Sequence, residues 1–365
     1  MIKVNKLKCI YNDKIVGYLI ESKSGKVSFQ YDDEWLENGF SISPFSLPLS
    51  KEIYTASKDT LGGLFGVFWD SLPDGWGELL LRRKMAKNGI NFDKVSILTR
   101  LSLVGKNGLG AINYIPTQFE TNEFVNYDLD SLALEADKIL NSEESKSLDE
   151  LYYLGGSSGG ARPKAHIIVN NEEWIVKFPS HIDPKNIGEL EYKTNILAQK
   201  CGIKTAEVKL FESKINSGFF GCKRFDRKDN KRIHMISLSS LLETSHRIPN
   251  LDYIHLFKVI QKICVNQDDM YEAFRRMCFN VFYKNKDDHG KNFSFIYNEE
   301  KMGYELSLAY DLTSLPNKFE HEMTVNGNGN PSEKDLIYIA KMFNLRLDIS
   351  KQIIDNIKKI LSVKW

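Results

Sequence analysis

Two aspartates and an asparagine in the C-terminal third of the chain have the types and spacing needed to transfer a phosphoryl group. Asp287 and Asn292 stand in NKDDHGKNFSF (285–295) as a D-x-x-x-x-N pattern, and Asp311 follows in AYDLTS (309–314). An aspartate can accept the proton of an attacking hydroxyl, while an asparagine and a second aspartate can hold Mg²⁺ against phosphates. Because phosphoryl transfer depends mostly on positioning and charge neutralisation, these side chains predict a phosphate-transferring site.

The D-x-x-x-x-N pattern is also the spacing of the protein-kinase catalytic loop, but by itself it is weak evidence. Asp and Asn are common loop residues, so a capped turn between a helix and a strand explains the pattern about as well. His289, inside the pattern, is best explained as a structural hydrogen-bonding residue, with an approach to a nucleotide as the alternative. The decision between these interpretations depends on the residues upstream.

The composition is that of an ordinary globular protein with enough residues for two domains. The chain has 365 residues, 42% of them hydrophobic and 27% charged, and a net charge of +1. That balance gives no electrostatic reason to expect direct binding of nucleic acid or of an anionic membrane. The five cysteines form no CxxC pair, the N-terminus has no apolar signal segment, and no run of about 18 apolar residues occurs, which together predict a cytoplasmic protein with reduced thiols.

The order of apolar and turn-forming segments predicts an α+β protein. Residues 1–118 read as a small α+β N-terminal subdomain, with three short strands at its start and a helix that begins after Asp74. Residues 119–150 are acidic and read as a linker with one amphipathic helix. Residues 151–365 read as a catalytic domain, with a strand-rich N-lobe at about 151–228 and a mostly helical C-lobe at about 229–365.

The catalytic domain contains, in chain order, the parts of a kinase nucleotide site. The glycines of GGSSGG (155–160) allow backbone N–H groups to approach phosphate oxygens closely. Lys177, on the second strand of a hairpin that turns at Asn170 and Asn171, can place its charge on the phosphates, and Glu191 on the next helix can pair with it. Asp226, after a further apolar strand, can reach ribose hydroxyls.

Each of these features also has a plainer explanation. GGSSGG could be a flexible linker, Lys177 a surface lysine and Glu191 a solvated helix residue. Ala161 stands where a P-loop requires lysine, which disfavours a P-loop NTPase. The joint order, with Asp311 at the end of a second hairpin and a helical tail that begins near Ser332, favours a kinase-like nucleotide site.

The chain resembles the HipA family of bacterial toxin serine/threonine kinases. The segments that carry the resemblance occur in family order over most of the chain and are LPDGWGELLL (72–81), GGSSGGARPKA (155–165), IVKFP (175–179), KRFDR (223–227), DDHGKNFS (287–294) and YDLTS (310–314). The strings GGARPKA and DHGKNFS are specific, since a generic kinase carries neither.

The resemblance implies a protein-kinase-like two-lobed domain, preceded by the N-terminal subdomain, that uses ATP and Mg²⁺. It makes Asp287 the catalytic base and Asn292 and Asp311 the metal ligands. The residues it implies at the nucleotide are Gly159, Gly160, Lys164, Lys177, Arg224, Phe225, Asp226 and His289. It further implies that a serine of the Gly-rich loop, Ser157 with Ser158 as the alternative, is autophosphorylated, which switches the kinase off by adding negative charge where phosphates must bind.

The resemblance also implies partners, and the chain differs from kinase patterns at a few positions. Family toxins are neutralised by a small helix-turn-helix antitoxin of the HipB type, so DNA is contacted only through that partner, and some members phosphorylate an aminoacyl-tRNA synthetase. The chain lacks the HRD, DFG and APE strings of eukaryotic kinases, and Lys286 replaces the arginine before the catalytic aspartate. Asp288 adds a second carboxylate, although the spacing to Asn292 favours Asp287 as the catalytic one. Two alternatives remain: a small-molecule kinase of related fold, and a non-catalytic nucleotide-binding corepressor module.

Overall fold

The computed structural model describes residues 2–57, 61–104, 108–118, 127–229, 231–245, 247–315 and 317–363, which form two compact units. The first unit comprises Met1–Leu190, Val208–Ile236 and Ser240–Glu243, and the second comprises Glu191–Glu207, Ser237–Ser239 and Thr244–Trp365. The predicted N-terminal subdomain and most of the predicted N-lobe therefore belong to one unit. The division between the units does not coincide with the predicted linker at 119–150.

Strands and helices alternate irregularly along the described residues, which confirms the predicted α+β class. The strands are β1 (Lys6–Tyr11), β2 (Lys14–Glu21), β3 (Val27–Tyr31), β4 (Tyr54–Thr55), β5 (Ile112–Ile115), β6 (Lys164–Val169), β7 (Glu172–Lys177), β8 (Val208–Phe211), β9 (Phe219–Lys223), β10 (Arg227–Lys228), β11 (Lys231–Arg232), β12 (Met235–Ser237), β13 (Ser294–Asn298) and β14 (Gly303–Leu306). The helices are α1 (Asp33–Asn38), α2 (Gly66–Trp69), α3 (Gly75–Lys87), α4 (Ile97–Leu101), α5 (Leu129–Leu140), α6 (Leu148–Gly155), α7 (Ile187–Lys200), α8 (Leu238–Leu241), α9 (Tyr253–Ile263), α10 (Asp268–Tyr283), α11 (Glu333–Met342) and α12 (Leu347–Ser362).

The first sheet of the first unit is antiparallel, in the order β4-β3-β2-β1-β5. Alternate residues of β1, which are Leu7, Cys9 and Tyr11, are buried, as expected for a strand with one face on a core. Asn12 and Asp13 join β1 to β2 with φ values of 42° and 71°, the left-handed conformation that a two-residue hairpin turn requires. The three strands predicted at the start of the chain are confirmed.

The second sheet of the first unit has the order β6-β7-β9-β8. Its first two strands form the predicted hairpin, which turns at Asn170 and Asn171 with φ values of 52° and 62°. Lys164 and Lys177 are direct cross-strand partners in the ladder. Like charges in that relation are unfavourable unless other groups offset them.

The helices α3, α5 and α6 pack on the second sheet and complete the core of the first unit. Helix α5 is the predicted amphipathic helix, but the rest of the predicted linker is not wholly irregular, because α6 begins at Leu148. The signal for α6 is Ser147 followed by Asp149 and Glu150 in the first turn, a common helix start. Because α6 ends at Gly155, the Gly-rich segment (155–160) begins at the last residue of this helix.

The core of the second unit is formed by helices α9 to α12, with Phe257 and Phe343 stacked at a ring-centroid distance of 5.0 Å. Helix α10 ends at Tyr283, and its C-cap residue Lys284 has a left-handed φ of 59° that turns the chain toward the D-x-x-x-x-N segment. The predicted N-cap Ser332 is confirmed as part of a capping box with Asp335. The placement of Asp311 at a strand end was wrong, because β14 already ends at Leu306.

Candidate active site

The loop with the D-x-x-x-x-N pattern, residues 287–292, is stabilised by hydrogen bonds between its own residues. After α10 the chain has no regular secondary structure through 285–289 and then makes one 3₁₀ turn at Gly290–Asn292. The Nδ1 atom of His289 accepts from the backbone N–H of Lys291 at 3.3 Å, so this side chain caps the turn. Asn292 Nδ2 donates to the carbonyl oxygen of Asp287 at 2.8 Å. Asp287 and Asn292 are therefore parts of one locally fixed loop. His289 makes the local hydrogen bond that a structural role requires, and its approach to a nucleotide stays a prediction.

Asn292 and Asp311 line the same small pocket of the second unit. The other lining residues are Arg276, Asn280, Asn285, Asp288, Phe293, Ala309, Tyr310 and Leu312. Asp311 has a φ of 55°, a conformation uncommon for residues other than glycine and often found at functional sites. Tyr310 Oη contributes to the local order by bonding the Lys291 carbonyl and the Ser294 hydroxyl, each at 2.6 Å.

Oxygen ligands from Asn292 and Asp311 fit a magnesium ion that also binds phosphates. Mg²⁺ is usually held by one or two carboxylate or amide oxygens, with phosphates and waters filling its octahedron. Among the residues that the structure describes, no group of three or more His, Cys, Asp or Glu side chains could hold a metal ion. A metal that arrives with a nucleotide needs only one or two protein ligands, and Asn292 and Asp311 are the candidates for that role.

Asp288 is a buried structural carboxylate, in contrast to its neighbour Asp287. Only 1% of Asp288 is exposed. Its Oδ2 accepts from Tyr253 Oη at 2.8 Å and lies 2.9 Å from Nδ1 of His321, and its Oδ1 accepts from the backbone N–H of Glu322 at 3.1 Å. Asp287 is half-buried, and its Oδ1 lies 3.1 Å from Nζ of Lys318. The two adjacent carboxylates thus have different surroundings, and Asp287 is the more accessible of them.

The Gly-rich loop lies against the first turn of α3, within the first unit. The N–H of Trp76 donates to the carbonyl of Gly160 at 2.9 Å, and its indole Nε1 donates to the carbonyl of Lys164 at 3.1 Å. The predicted N-cap Asp74 makes no side-chain bond to the helix and instead accepts from the N–H of Gly160. The segment LPDGWGELLL therefore holds the loop, a contact that sequence patterns did not reveal.

Close backbone approach explains the glycines in this segment of α3. A Cβ atom at Gly77 would lie 2.4 Å from the carbonyl oxygen of Ser158, and one at Gly75 would lie 2.5 Å from that of Gly160. Gly75 also has a φ of 48°, which disfavours other residues. Glycine at these two positions is what allows helix and loop to touch.

Both candidate serines of the loop are buried, Ser157 being 4% and Ser158 2% exposed. The Ser158 hydroxyl donates to the carbonyl of Gly155 at 2.5 Å, which commits it to a local turn. A phosphate carries roughly two negative charges and needs several donors or water, so neither hydroxyl can accept one while the loop keeps this conformation.

Trp76 offers a direct test of how the loop is held. The change Trp76→Phe keeps most of the apolar burial but removes the bond to Lys164, and we expect it to lower the free energy of unfolding by about 1 kcal/mol. Trp174→Phe is the matched control, because Trp174 is buried in the same core and its Nε1 has no hydrogen-bond partner among the described residues. Urea titrations of both variants measure the difference. Equal losses would show that the indole bond contributes nothing.

The two charged residues predicted to pair across strand and helix are found in different units. Lys177 belongs to the first unit, where its Nζ lies 5.5 Å from the centre of the Phe220 ring. Glu191 belongs to the second unit and is 5% exposed. Their pairing stays a prediction. Lys164, the cross-strand partner of Lys177, directs its Nζ at the carbonyl of Gly159 and so closes the Gly-rich loop on itself.

Asp226 lies in a buried ion cluster of the first unit. Its carboxylate accepts from Arg224 Nε at 2.9 Å, from Arg227 Nη1 at 3.0 Å and from the N–H of Gly110 at 2.8 Å. Burial alone would raise the pKa of Asp226, but the two guanidinium groups outweigh burial and lower it. The contact predicted between Asp226 and a ribose would require one of these donors to move away.

Arg224 is buried in the same ion cluster as Asp226. Phe225, between them in the chain, is half-buried in a turn. Besides Asp226, Arg224 donates to the carbonyl of Gly108 at 2.9 Å. Arg232 donates to both Gly108 and Gly110, at 2.8 Å and 2.9 Å. Arg227 also donates to the carbonyls of Gly108 and Gly110. Two arginines of the KRFDR segment and Arg232 after it thus bind residues 108–110 of the predicted N-terminal subdomain, and both regions belong to one compact unit.

The fold combines helices and sheets, and one of its loops has the D-x-x-x-x-N spacing of a kinase catalytic loop. Comparison with known proteins gives the family. The family model for the HipA N-terminal domain matches residues 7–115, and that for the HipA-like C-terminal domain matches residues 156–365. The chain belongs to the HipA family, which confirms the resemblance found in its sequence.

Two individual proteins are similar to the chain at low identity, the first of them in fold. A chain from the structure of the Shewanella oneidensis MR-1 toxin–antitoxin system HipA, HipB and its operator DNA is similar in fold, with a TM-score of 0.72, 19% identity, and coverage of 97% of this chain and 88% of that one. A Sinorhizobium fredii (strain NBRC 101917 / NGR234) protein, Y4dM, whose name describes it provisionally as a kinase, is 28% identical over 174 residues. That match spans 44% of this chain and 42% of the relative.

No helix among the described residues is long and apolar enough to cross a membrane.

Proposed function

We propose that this protein is a Mg-ATP-dependent serine/threonine protein kinase that acts as the toxin of a toxin–antitoxin pair. The observation that carries the proposal is the second unit's catalytic loop, in which Asn292 is bonded to Asp287 and shares a pocket with Asp311. Membership of the HipA family supports the same class of activity. Asp287 is the base, Asn292 and Asp311 are the metal ligands, and Lys177 contacts the nucleotide phosphates.

The reaction requires a simple exchange of bonds. The oxygen of a serine or threonine hydroxyl forms a bond to the γ-phosphorus of ATP as the bond to the bridging oxygen of ADP breaks, and the hydroxyl proton passes to the carboxylate of Asp287. Mg²⁺, when bound, neutralises charge on the phosphates. Asp287 is suited to this role because it is half-buried, whereas Asp288 already has three partners.

Autophosphorylation of the Gly-rich loop is the proposed off-switch, with Ser157 as the modified residue. The Ser158 hydroxyl is engaged with Gly155, which favours Ser157 as the acceptor. Both serines are buried against α3. A phosphorylated loop must therefore leave this position and would no longer present Gly159 and Gly160 to a nucleotide.

The proposed partner is a HipB-like helix-turn-helix antitoxin encoded with the toxin, and the proposed substrate is a cytoplasmic protein of the translation machinery. Support for the antitoxin comes from the Shewanella complex, which contains HipB and operator DNA. The net charge of +1 on this chain supports DNA contact through the antitoxin alone.

The test is the intact mass of the purified protein before and after incubation with Mg-ATP. We expect the mass of one phosphate to appear on a peptide that contains Ser157. Ser157→Ala should prevent the modification and Ser158→Ala should not. A wild-type protein that stays unmodified, and that also transfers no labelled phosphate to proteins of a cell extract, would refute the proposed function.

A further inference from the structure

A short segment after the pocket, residues 318–322, lies along the catalytic loop within the second unit. Lys286 Nζ donates to the carbonyl oxygens of Lys318 at 2.9 Å and of Phe319 at 3.0 Å. In the opposite direction, Asp288 accepts from the N–H of Glu322 at 3.1 Å and pairs with His321 at 2.9 Å. Residues 286 and 288 therefore fix the backbone of this segment, which we call the 318–322 segment, at both of its ends.

The side chain of Lys318 points from this fixed backbone to the proposed base. Its Nζ lies 3.1 Å from Oδ1 of Asp287 and 2.5 Å from Oε1 of Glu322. Burial by itself would lower the pKa of Lys318, but the hydrogen bonds to Glu322 and Asp287 outweigh it and raise the pKa. The ammonium group is therefore charged at neutral pH and is held between two carboxylates.

We propose that Lys318 is a positioning residue for phosphoryl transfer, which fixes the carboxylate of Asp287 while Glu322 fixes Lys318. The proposal rests on the proposed function and deepens it. A base is effective only when its acceptor oxygen is aligned with the hydroxyl proton, and a bond from Lys318 to Oδ1 leaves Oδ2 as the oxygen that receives the proton.

The contact is better explained by alignment than by stability. About one third of each side chain is exposed, 33% for Lys318 and 36% for Asp287. An ion pair so open to solvent adds little to the free energy of unfolding, typically under about 1 kcal/mol. The side chains of Lys286 and Asp288 make four hydrogen bonds to the 318–322 segment, and these hold it in place without the Lys318–Asp287 pair. What Lys318 adds is a defined orientation of Asp287.

The sequence offers a well matched control for Lys318. Lys301 pairs with Glu305 at 2.5 Å, and the two residues have the same four-residue separation as Lys318 and Glu322. Lys301 lies in the turn between β13 and β14, and the contacts found for it involve Asn298 and Glu305. Removing its charge breaks an equivalent pair without affecting Asp287.

The experiment compares steady-state phosphate transfer by wild type, Lys318→Met, Lys318→Arg and Lys301→Met. We expect Lys318→Met to lower kcat by about 10- to 100-fold with the KM for ATP changed less than about twofold, because an interaction needed in the transition state is lost. Lys318→Arg should recover much of the loss by restoring the charge. Lys301→Met should match wild type, and all four proteins should melt within about 3 °C of each other.

A double-mutant cycle with Glu322→Gln tests whether Glu322 affects phosphate transfer only by positioning Lys318 or independently of it. If Glu322 acts only through Lys318, the loss it causes in the wild-type background should be absent in the Lys318→Met background. Wild-type transfer with an unchanged kcat in Lys318→Met would overturn this inference and leave the proposed function intact. Additive losses from the two changes would also overturn it. Absence of transfer by wild type would instead overturn the proposed function, and this inference with it.

Discussion

Replacing Asp287 by asparagine is expected to lower the rate of phosphate transfer by about 10²- to 10⁴-fold, the usual contribution of a positioned general base. Asparagine has the same shape but cannot accept the hydroxyl proton. The fold should survive, because the side chain of Asp287 is half-buried and its one described side-chain partner is the partly exposed Lys318. The measurement is labelled phosphate incorporation at saturating Mg-ATP, together with the melting temperature.

The control for this prediction is Asp355→Asn, which removes a carboxylate from the exposed face of α12 in the same unit. It should leave both the rate and the melting temperature unchanged. Equal rates for wild type and Asp287→Asn would contradict the assignment of Asp287 as the base. Loss of activity accompanied by loss of the folded state would mean that the carboxylate is structural, which its exposure argues against.

The neighbouring substitution, Asp288→Ala, should act on stability instead, with a loss of about 3 kcal/mol or more in the free energy of unfolding. Removing this carboxylate takes away the acceptor used by three groups, which are the hydroxyl of Tyr253, Nδ1 of His321 and the N–H of Glu322. An unsatisfied buried donor costs about 1–3 kcal/mol, and bonds to charged groups are at the upper end. Chemical denaturation monitored by tryptophan fluorescence would measure the change.

Tyr253→Phe is the graded comparison for Asp288. It removes one of the three donors to the carboxylate and also the acceptor of Asn280, so we expect a loss near 1–2 kcal/mol, smaller than for Asp288→Ala. The ring itself is fully buried and stays in place. An Asp288→Ala protein as stable as wild type would contradict the structural role and would reopen the choice between the two aspartates.

The contrast between these aspartates shows what a sequence pattern can specify. The D-x-x-x-x-N spacing favoured Asp287 over Asp288, but it contained no information on burial. Burial follows from Tyr253 on α9 and His321 beyond the pocket, each more than thirty positions from Asp288 in the chain. Such partners are brought together by helix packing, which no local spacing describes.

Local structure was largely predictable because it depends on local chemistry. The hairpin turns at Asn12–Asp13 and Asn170–Asn171 were marked by residues that tolerate positive φ, and Ser332 marked a helix start. Departures from the predictions occurred where tertiary contacts compete with local preference. Asp74 is the N-cap residue of α3, as predicted, yet its carboxylate accepts from Gly160 and not from the first turn of the helix. Asp311 was wrongly placed at a strand end, since it lies beyond β14 in a left-handed conformation.

The sequence by itself determined the family, the α+β class and the residues of the proposed chemistry, because motif residues and hydrophobic periodicity are local properties of the chain. Only the tertiary structure decided how those residues are supported: the Gly-rich loop against α3, Asp226 against Gly110, and Lys318 on Asp287. These contacts join segments from about 30 to nearly 120 positions apart. Their formation depends on the packing of whole elements, which a single sequence does not display.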